Sequence, residues 1–166
     1  SGGFCATIDI TTAFLQTDAD AGTGSRKRTF LRMPACFKLF NPLDGKWGVL
    51  KVLKSIYGLA TAPKAWKETL SRFLLELGFV ECKYDDGVFI RHEPFAVVVV
   101  YVDDLMCLSM NLSVLDDLLA QIRTRFDTTE PNFLHKSSRA NPIDFVAINL
   151  FQESNGTGDS SHTNLV

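Results

Sequence analysis

Asp103 and Asp104 are adjacent carboxylates between two apolar runs: Phe95-Ala-Val-Val-Val-Val100 with Tyr101 and Val102 before them, and Leu105-Met-Cys-Leu108 after them. β-Branched and aromatic residues on both sides read as buried strands, which puts the two acids at the tip of a hairpin. Like charges side by side repel unless a cation neutralises them, and a divalent ion that prefers oxygen ligands does this readily. The plain alternative is a turn that merely contains Asp-Asp, because Asp is a good turn residue. A third acid, Asp9, lies inside Phe4-Cys-Ala-Thr-Ile-Asp-Ile10, flanked by Ile8 and Ile10, where an unpaired charge is expensive to bury. If that strand lies beside the hairpin, Asp9 faces Asp103 across the sheet, and carboxylates from two strands surround a pair of metal ions. Such ions, ~3.5–4 Å apart, suit phosphoryl or nucleotidyl transfer.

The elements that must hold these acids follow from the pattern around them. A short helix is expected over Thr12–Gln16, an exposed loop over Thr17–Arg28, and strands over Thr29–Met33 and Lys46–Lys54, with a turn at Asn41-Pro-Leu-Asp-Gly45. The clearest helix runs from Ala62 to Leu77. Thr61 is placed to cap it, Pro63 suits its first turn, and Gly78 suits its stop. Trp66, Leu70, Phe73, Leu74 and Leu77 fall on one face. A second helix, with Leu115, Leu118, Leu119, Ile122 and Phe126 on its apolar face, is expected to start at Ser113-Val-Leu-Asp116, a capping-box pattern with Asp in the Glu position. Strands Gly87–Arg91 and Phe95–Val102 meet at His92-Glu-Pro94. Beyond Glu130 there is one apolar stretch, Ile143–Phe151, and from Gln152 a polar tail expected to be disordered. Helices and strands mix without βαβ alternation, which predicts an α+β fold with an antiparallel sheet backed by two main helices.

Composition narrows the function classes. The chain has 166 residues, 46% of them apolar, with 13 Phe, enough for one domain with a core. A net charge of −2 gives no global basic field, so any nucleic-acid surface must be a local patch. Cys5, Cys36, Cys82 and Cys107 are far apart, as are His92, His135 and His162. Neither set forms a zinc site or a disulfide framework, and the thiols suit a reduced compartment. There is no membrane-length apolar run and no signal-like N-terminus, so an intracellular location is expected.

Five ordered blocks then carry a specific resemblance: Asp9-Ile-Thr-Thr-Ala-Phe-Leu15; Ser55-Ile-Tyr-Gly-Leu59 with Ala62-Pro-Lys-Ala-Trp66; Leu77-Gly-Phe79; Tyr84-Asp85 with Val88-Phe89; and Tyr101-Val-Asp-Asp104. Together they resemble the palm region of copia-type retrotransposon reverse transcriptases, from about Phe4 to Phe126, with a weaker echo over Asp144–Leu150. The resemblance implies a polymerase palm-like sheet and two-metal transfer of deoxynucleoside triphosphates to a primer 3′-OH, with Mg²⁺ as the cofactor and Mn²⁺ able to substitute. It implies that Asp9 and Asp103 bridge the metals, that Asp104 assists, and that Ile10 offers its backbone carbonyl. Phe14 takes the place of the aromatic gate that excludes a ribose 2′-OH; its alternative is a core Phe. Tyr57 and Gly58 match the turn over the incoming nucleotide, although Tyr57 also reads as a packed aromatic with a wet hydroxyl. Tyr101 would sit beside the primer end. Lys64 and Lys67 would reach phosphates of the primer and its RNA or DNA template, the alternative being a solvated helix face.

Several segments depart from the family. Asp18–Phe30 is long and carries Arg26-Lys27-Arg28, Leu59-Ala-Thr-Ala62 lacks a usual Lys-Gln, and Ala35-Cys36-Phe37 and Pro131–Asn141 are unlike their counterparts. The expected organisation is a palm core over 1–130, a divergent continuation with one strand over 131–151, and the polar tail over 152–166. Fingers, thumb and RNase H segments of a parent polyprotein are expected as partners. The isolated chain is expected to be inactive, and the alternative to the enzyme is a retroelement remnant that folds and binds metal or nucleic acid without catalysis.

Overall fold

The computed structural model describes residues 3–19, 29–33, 40–41, 46–152 and 163–165. The chain divides into two compact units, residues 1–12 with 71–166 and residues 13–70. In chain order the elements are β1 (Phe4–Asp9), β2 (Phe30–Arg32), β3 (Phe40–Asn41), β4 (Lys46–Trp47), β5 (Val49–Lys51), α1 (Ala62–Glu76), β6 (Val80–Glu81), β7 (Val88–Arg91), β8 (Ala96–Tyr101), β9 (Asp104–Ser109), α2 (Leu112–Arg125), β10 (Asn132–Phe133), β11 (Ile143–Phe145), β12 (Ile148–Gln152) and β13 (Thr163–Leu165). The fold is α+β.

The first unit is built on an antiparallel six-stranded sheet in the order β10-β1-β9-β8-β7-β6. Strand alternation divides its side chains into two layers. Ala6, Ile8, Leu105, Cys107, Val98 and Ala96 share one face by register and are all buried; α2 backs β1 and β9. Leu115, Leu118, Leu119 and Ile122 form the buried stripe of that helix. On the other face Cys5, Met106, Leu108 and Val99 pack with Ile143, Phe145 and Leu150 of the β11–β12 hairpin. Apolar burial on both faces of the middle strands is the main stabilising term, at ~25 cal/mol per Å².

Helix ends show their causes. α1 stops where Gly78 takes φ +83° and the N–H groups of Gly78 and Phe79 donate to the carbonyls of Leu75 and Leu74. This is the paired-bond stop that a residue without Cβ favours. The sequence places the start of α2 at Ser113, but the helix begins one residue sooner, with Asn111 as its cap. The Asn111 side chain accepts from the Ser113 N–H at 2.9 Å, and Ser109 Oγ accepts from the Asn111 N–H at 3.2 Å. Asn is at least as good a cap as Ser, and here it is already positioned by the end of β9. Arg123 and Arg125 occupy the last turn, where the helix dipole favours cations.

Three further expectations change. Among the described residues beyond Glu130 there are four strands instead of one: β10 pairs with β1, and β11, β12 and β13 form a three-stranded sheet. The polar tail expected from Gln152 therefore includes paired backbone at Thr163–Leu165. The expected strand over Lys46–Lys54 is interrupted at Gly48 into β4 and β5, which pair with β3 and β2. The expected helix over Thr12–Gln16 is a tighter 3-10 turn over Ala13–Gln16, because Thr12 takes a left-handed φ of 51°. The turn at 42–45, and Arg26-Lys27-Arg28 and Ala35-Cys36-Phe37, lie outside the described residues.

The second unit contains the β2–β5 and β3–β4 ribbons, the 3-10 turn and the start of α1. Phe14, Val52, Ala62, Ala65, Trp66 and Leu70 are buried in it, while Phe30, Val49, Leu50 and Leu53 are exposed.

Candidate functional site

The acids come together where β1 meets the β8–β9 hairpin. The expected facing of Asp9 and Asp103 is corrected by the register: Asp9 lies directly opposite Asp104, and Tyr101 lies opposite Asp104 on the next strand. Opposed residues share a face, so Asp9, Asp104 and Tyr101 form a row across β1, β9 and β8. The Ile10 N–H donates to the Asp103 carbonyl at 2.9 Å. That bond makes Asp9 and Asp104 a closely spaced pair of the kind without mutual hydrogen bonds, with Cα atoms ~4.5 Å apart. Asp103 itself sits in the two-residue turn, attached to β1 through its own backbone.

The acids are held from behind by backbone bonds. The Asp9 N–H donates to Thr129 Oγ1 at 3.1 Å, and the Thr129 N–H returns a bond to the Asp9 carbonyl at 2.9 Å. The Thr11 N–H donates to the Asp127 carbonyl, and Ile10 forms a bridge with Thr128. Val102, in the turn beside Asp103, has φ +56°. A β-branched residue there carries strain of order 1–3 kcal/mol, of a kind that gathers at functional sites.

Electrostatics mark the same place. Burial, and then the Asp103 charge, raise the Asp9 carboxyl above its usual range. Asp104 is raised by burial and then by the charges of Asp103, Asp9 and Asp144. Asp144, on β11, is a residue that the sequence reading passed over as chemistry. Its signal was an acid between Ile143 and Phe145, which are buried while it is exposed. Among the described residues no three His, Cys, Asp or Glu side chains are gathered tightly enough to hold a metal ion as they stand. The donor set is nevertheless one that fits a hard divalent cation: carboxylates only, mutually repelling, on a rigid backbone.

The other expected site residues belong to the second unit. Phe14 is buried, and its ring meets that of Tyr57 edge-on at 4.8 Å. Tyr57 is 62% exposed. Gly58 has φ +91°, and a Cβ there would meet nothing within 4 Å, so backbone conformation and not crowding favours glycine at this position. Lys64 lies 3.8 Å from Glu68 one helical turn on, and both Lys64 and Lys67 are exposed. An exposed pair of this kind contributes little to stability.

A family model described as reverse transcriptase (RNA-dependent DNA polymerase) matches residues 3–164. The chain is 32% identical over 130 residues to the retrovirus-related Pol polyprotein from transposon RE2 of Arabidopsis thaliana, which is 77% of this chain and 8% of that protein. It is 34% identical over 89 residues to the corresponding polyprotein from transposon RE1 of the same plant, 52% of this chain and 6% of that protein. The putative transposon Ty5-1 protein of Saccharomyces cerevisiae is 24% identical over 151 residues, 90% of this chain and 44% of that protein. The chain thus spans less than a tenth of the two plant relatives. Among solved structures, apo telomerase from Candida tropicalis gives a TM-score of 0.50 at 10% identity, over 90% of this chain and 34% of that one. Telomerase from Candida albicans, in complex with a fragment of telomeric RNA, gives 0.50 at 9% identity, over 99% and 31%. At such identities the likeness shows the fold alone. Among the described residues no helix is long and apolar enough to cross a membrane.

Proposed function

This chain belongs to the reverse transcriptase (RNA-dependent DNA polymerase) family, of the copia-type retrotransposon kind, and we propose that its six-stranded sheet is the palm of such an enzyme. Within a longer Pol polyprotein, and directed by an RNA or DNA template, the primer 3′-OH attacks the α-phosphate of a deoxynucleoside triphosphate. The bond from that phosphorus to the bridging oxygen of the β-phosphate breaks, and pyrophosphate leaves while the hydroxyl proton passes to solvent. The observation that carries the reading is the row of Asp9 and Asp104 on one sheet face, with Asp103 tied to Ile10 beside it. Asp9, Asp103, Asp104 and the Ile10 carbonyl would hold two Mg²⁺ ions, or Mn²⁺. Bound there, the ions would lower the barrier by stabilising charge on the attacking and leaving oxygens.

The side chains divide the remaining work. The carboxylates supply charge and take no proton. Tyr101, exposed on the acid face, supports the primer end. Phe14 excludes a ribose 2′-OH, and Tyr57 with Gly58 lies over the incoming nucleotide; the edge-on ring contact supports pairing these two roles. Lys64 and Lys67 attract template phosphates and add to affinity without adding sequence preference.

The test is templated primer extension by the longer Pol protein that carries this chain, with Mg²⁺ or Mn²⁺. Asp103→Asn should abolish extension with either ion while the protein still folds; undiminished extension would refute the assignment. The alternative, a remnant that binds metal or nucleic acid without catalysis, differs in one outcome. It predicts no extension from the unaltered protein.

A further inference from the structure

In the second unit, two short segments lie side by side. The Ser55 N–H donates to the Thr17 carbonyl at 2.9 Å, the Ala19 N–H donates to the Leu53 carbonyl at 3.0 Å, and Asp18 and Lys54 form an antiparallel bridge between those bonds. This pattern places Thr17 directly opposite Ser55, with their side chains on the same face of the ladder, Cβ atoms ~5 Å apart. Asp18 and Lys54 occupy the other face, exposed, with Nζ and Oδ1 2.8 Å apart. The inner face is the reverse of this. Thr17 and Ser55 are each 1% exposed, and neither hydroxyl has a hydrogen-bond partner among the described residues. Each buried hydroxyl without a partner costs about 1–3 kcal/mol, and here two such groups stand on opposed residues.

We propose that the Thr17 and Ser55 hydroxyls share one bound water, and that this polar latch positions the Phe14–Tyr57 ring pair. Two opposed hydroxyls supply enough partners for a buried water. The connection to the rings is short on both sides. The Thr17 N–H donates to the Phe14 carbonyl at 3.1 Å, and Ser55 leads directly into the turn in which the Leu59 N–H donates to the Ile56 carbonyl at 3.2 Å. Closing the ladder at Thr17–Ser55 therefore fixes the backbone carrying Phe14 relative to the backbone carrying Tyr57. The exposed Asp18–Lys54 pair is screened by water and contributes little to this. Thr17 and Ser55 are positioning residues: they act on the nucleotide site through Phe14 and Tyr57.

A double-mutant cycle on the 166-residue chain tests the latch, read by residue-resolved amide exchange at Ser55 and Leu59. Thr17→Val and Ser55→Ala each remove one partner, so each should speed exchange roughly tenfold, while the double variant should return to within about threefold of the parent. Thr17→Ser keeps the hydroxyl and should exchange like the parent. Exchange in the double variant as fast as the two single effects combined, or no change in either single variant, would overturn the latch. The consequence for sugar choice rests on the proposed role of Phe14. In the longer Pol protein, Thr17→Val should lower deoxy-over-ribo selectivity, and Thr17→Ser should restore it. Sugar selectivity unmoved by Phe14→Val would remove that role, and the exchange cycle would still decide the latch.

Discussion

The acid end of the six-stranded sheet and the aromatic pair of the second unit are built on opposite principles. At the acid end, Asp9 and Asp104 sit opposite one another with raised carboxyl pKa values, beside a turn in which Val102 is in a left-handed conformation. The opposed charges and the left-handed turn work against folding, and backbone hydrogen bonds hold them in place. Around Phe14 and Tyr57 the identities suit packing, with a buried ring, an edge-on aromatic contact and a ladder beneath it. The difference teaches where substitution should harm stability and where it should harm only binding.

The largest expected effect falls on the packed side. Phe14→Val should lower stability by ~1–3 kcal/mol in urea melts, since a buried ring loses contact area and leaves a cavity. An unchanged melt would show that Phe14 is not packed as described. At the acid turn, Val102→Gly should relieve left-handed strain of ~1–2 kcal/mol, against a glycine entropy penalty of ~0.5–1 kcal/mol. The net expectation is a stability equal to or above the parent's; a loss of ~2 kcal/mol or more, on the scale of a core substitution, would show that Val102 is a packing residue and not a strained one.

Charge gives a smaller effect with a definite pH sign. A carboxyl whose folded pKa is raised stabilises the fold relative to its ionised form below its unfolded value of 3.8, and that contribution is lost as pH rises through the folded pKa. Asp104→Asn should therefore raise stability at neutral pH by a few tenths of a kcal/mol to ~1 kcal/mol, after allowance for solvent screening. The gain should disappear below about pH 3.8. A neutral-pH loss on Asp104→Asn would mean that the acid is paired in solution and that the repulsion is not real. The smallest effect belongs to the exposed Lys64–Glu68 pair: Lys64→Gln should change stability by less than ~0.5 kcal/mol. A larger loss would place Lys64 within the fold's packing.

Much of the architecture was legible because periodicity is a strong signal. The Val-rich β8, the apolar stripe of α2 and the Gly78 stop are all visible as residue patterns. Register was not. The 95–108 run shows a hairpin, but only the position of a two-residue turn decides whether Asp103 or Asp104 faces Asp9, and a turn with Val at a left-handed position carries no Gly or Asn signal. The start of α2 is ambiguous in the sequence because two competent caps, Asn111 and Ser113, stand two residues apart. Beyond Glu130, β10 is only two residues long and pairs with the distant β1, while the β11–β12 hairpin turns at Val146-Ala147 without a Gly or Asn, so neither length nor turn chemistry announces these strands. Asp144 was visible as an acid between apolar residues, yet only the folded chain brings its charge to bear on Asp104.

The central claim is that the three acids are arranged for a divalent cation, and Mn²⁺-dependent thermal melting of this chain tests it most directly. Binding to the folded state alone should raise Tm, with a stabilisation of ~2.7 kcal/mol at a free Mn²⁺ concentration 100 times Kd. Asp9→Asn and Asp103→Asn should each abolish that rise, and Asp104→Asn should weaken it. An equal rise in the double variant Asp9→Asn/Asp103→Asn would contradict the account.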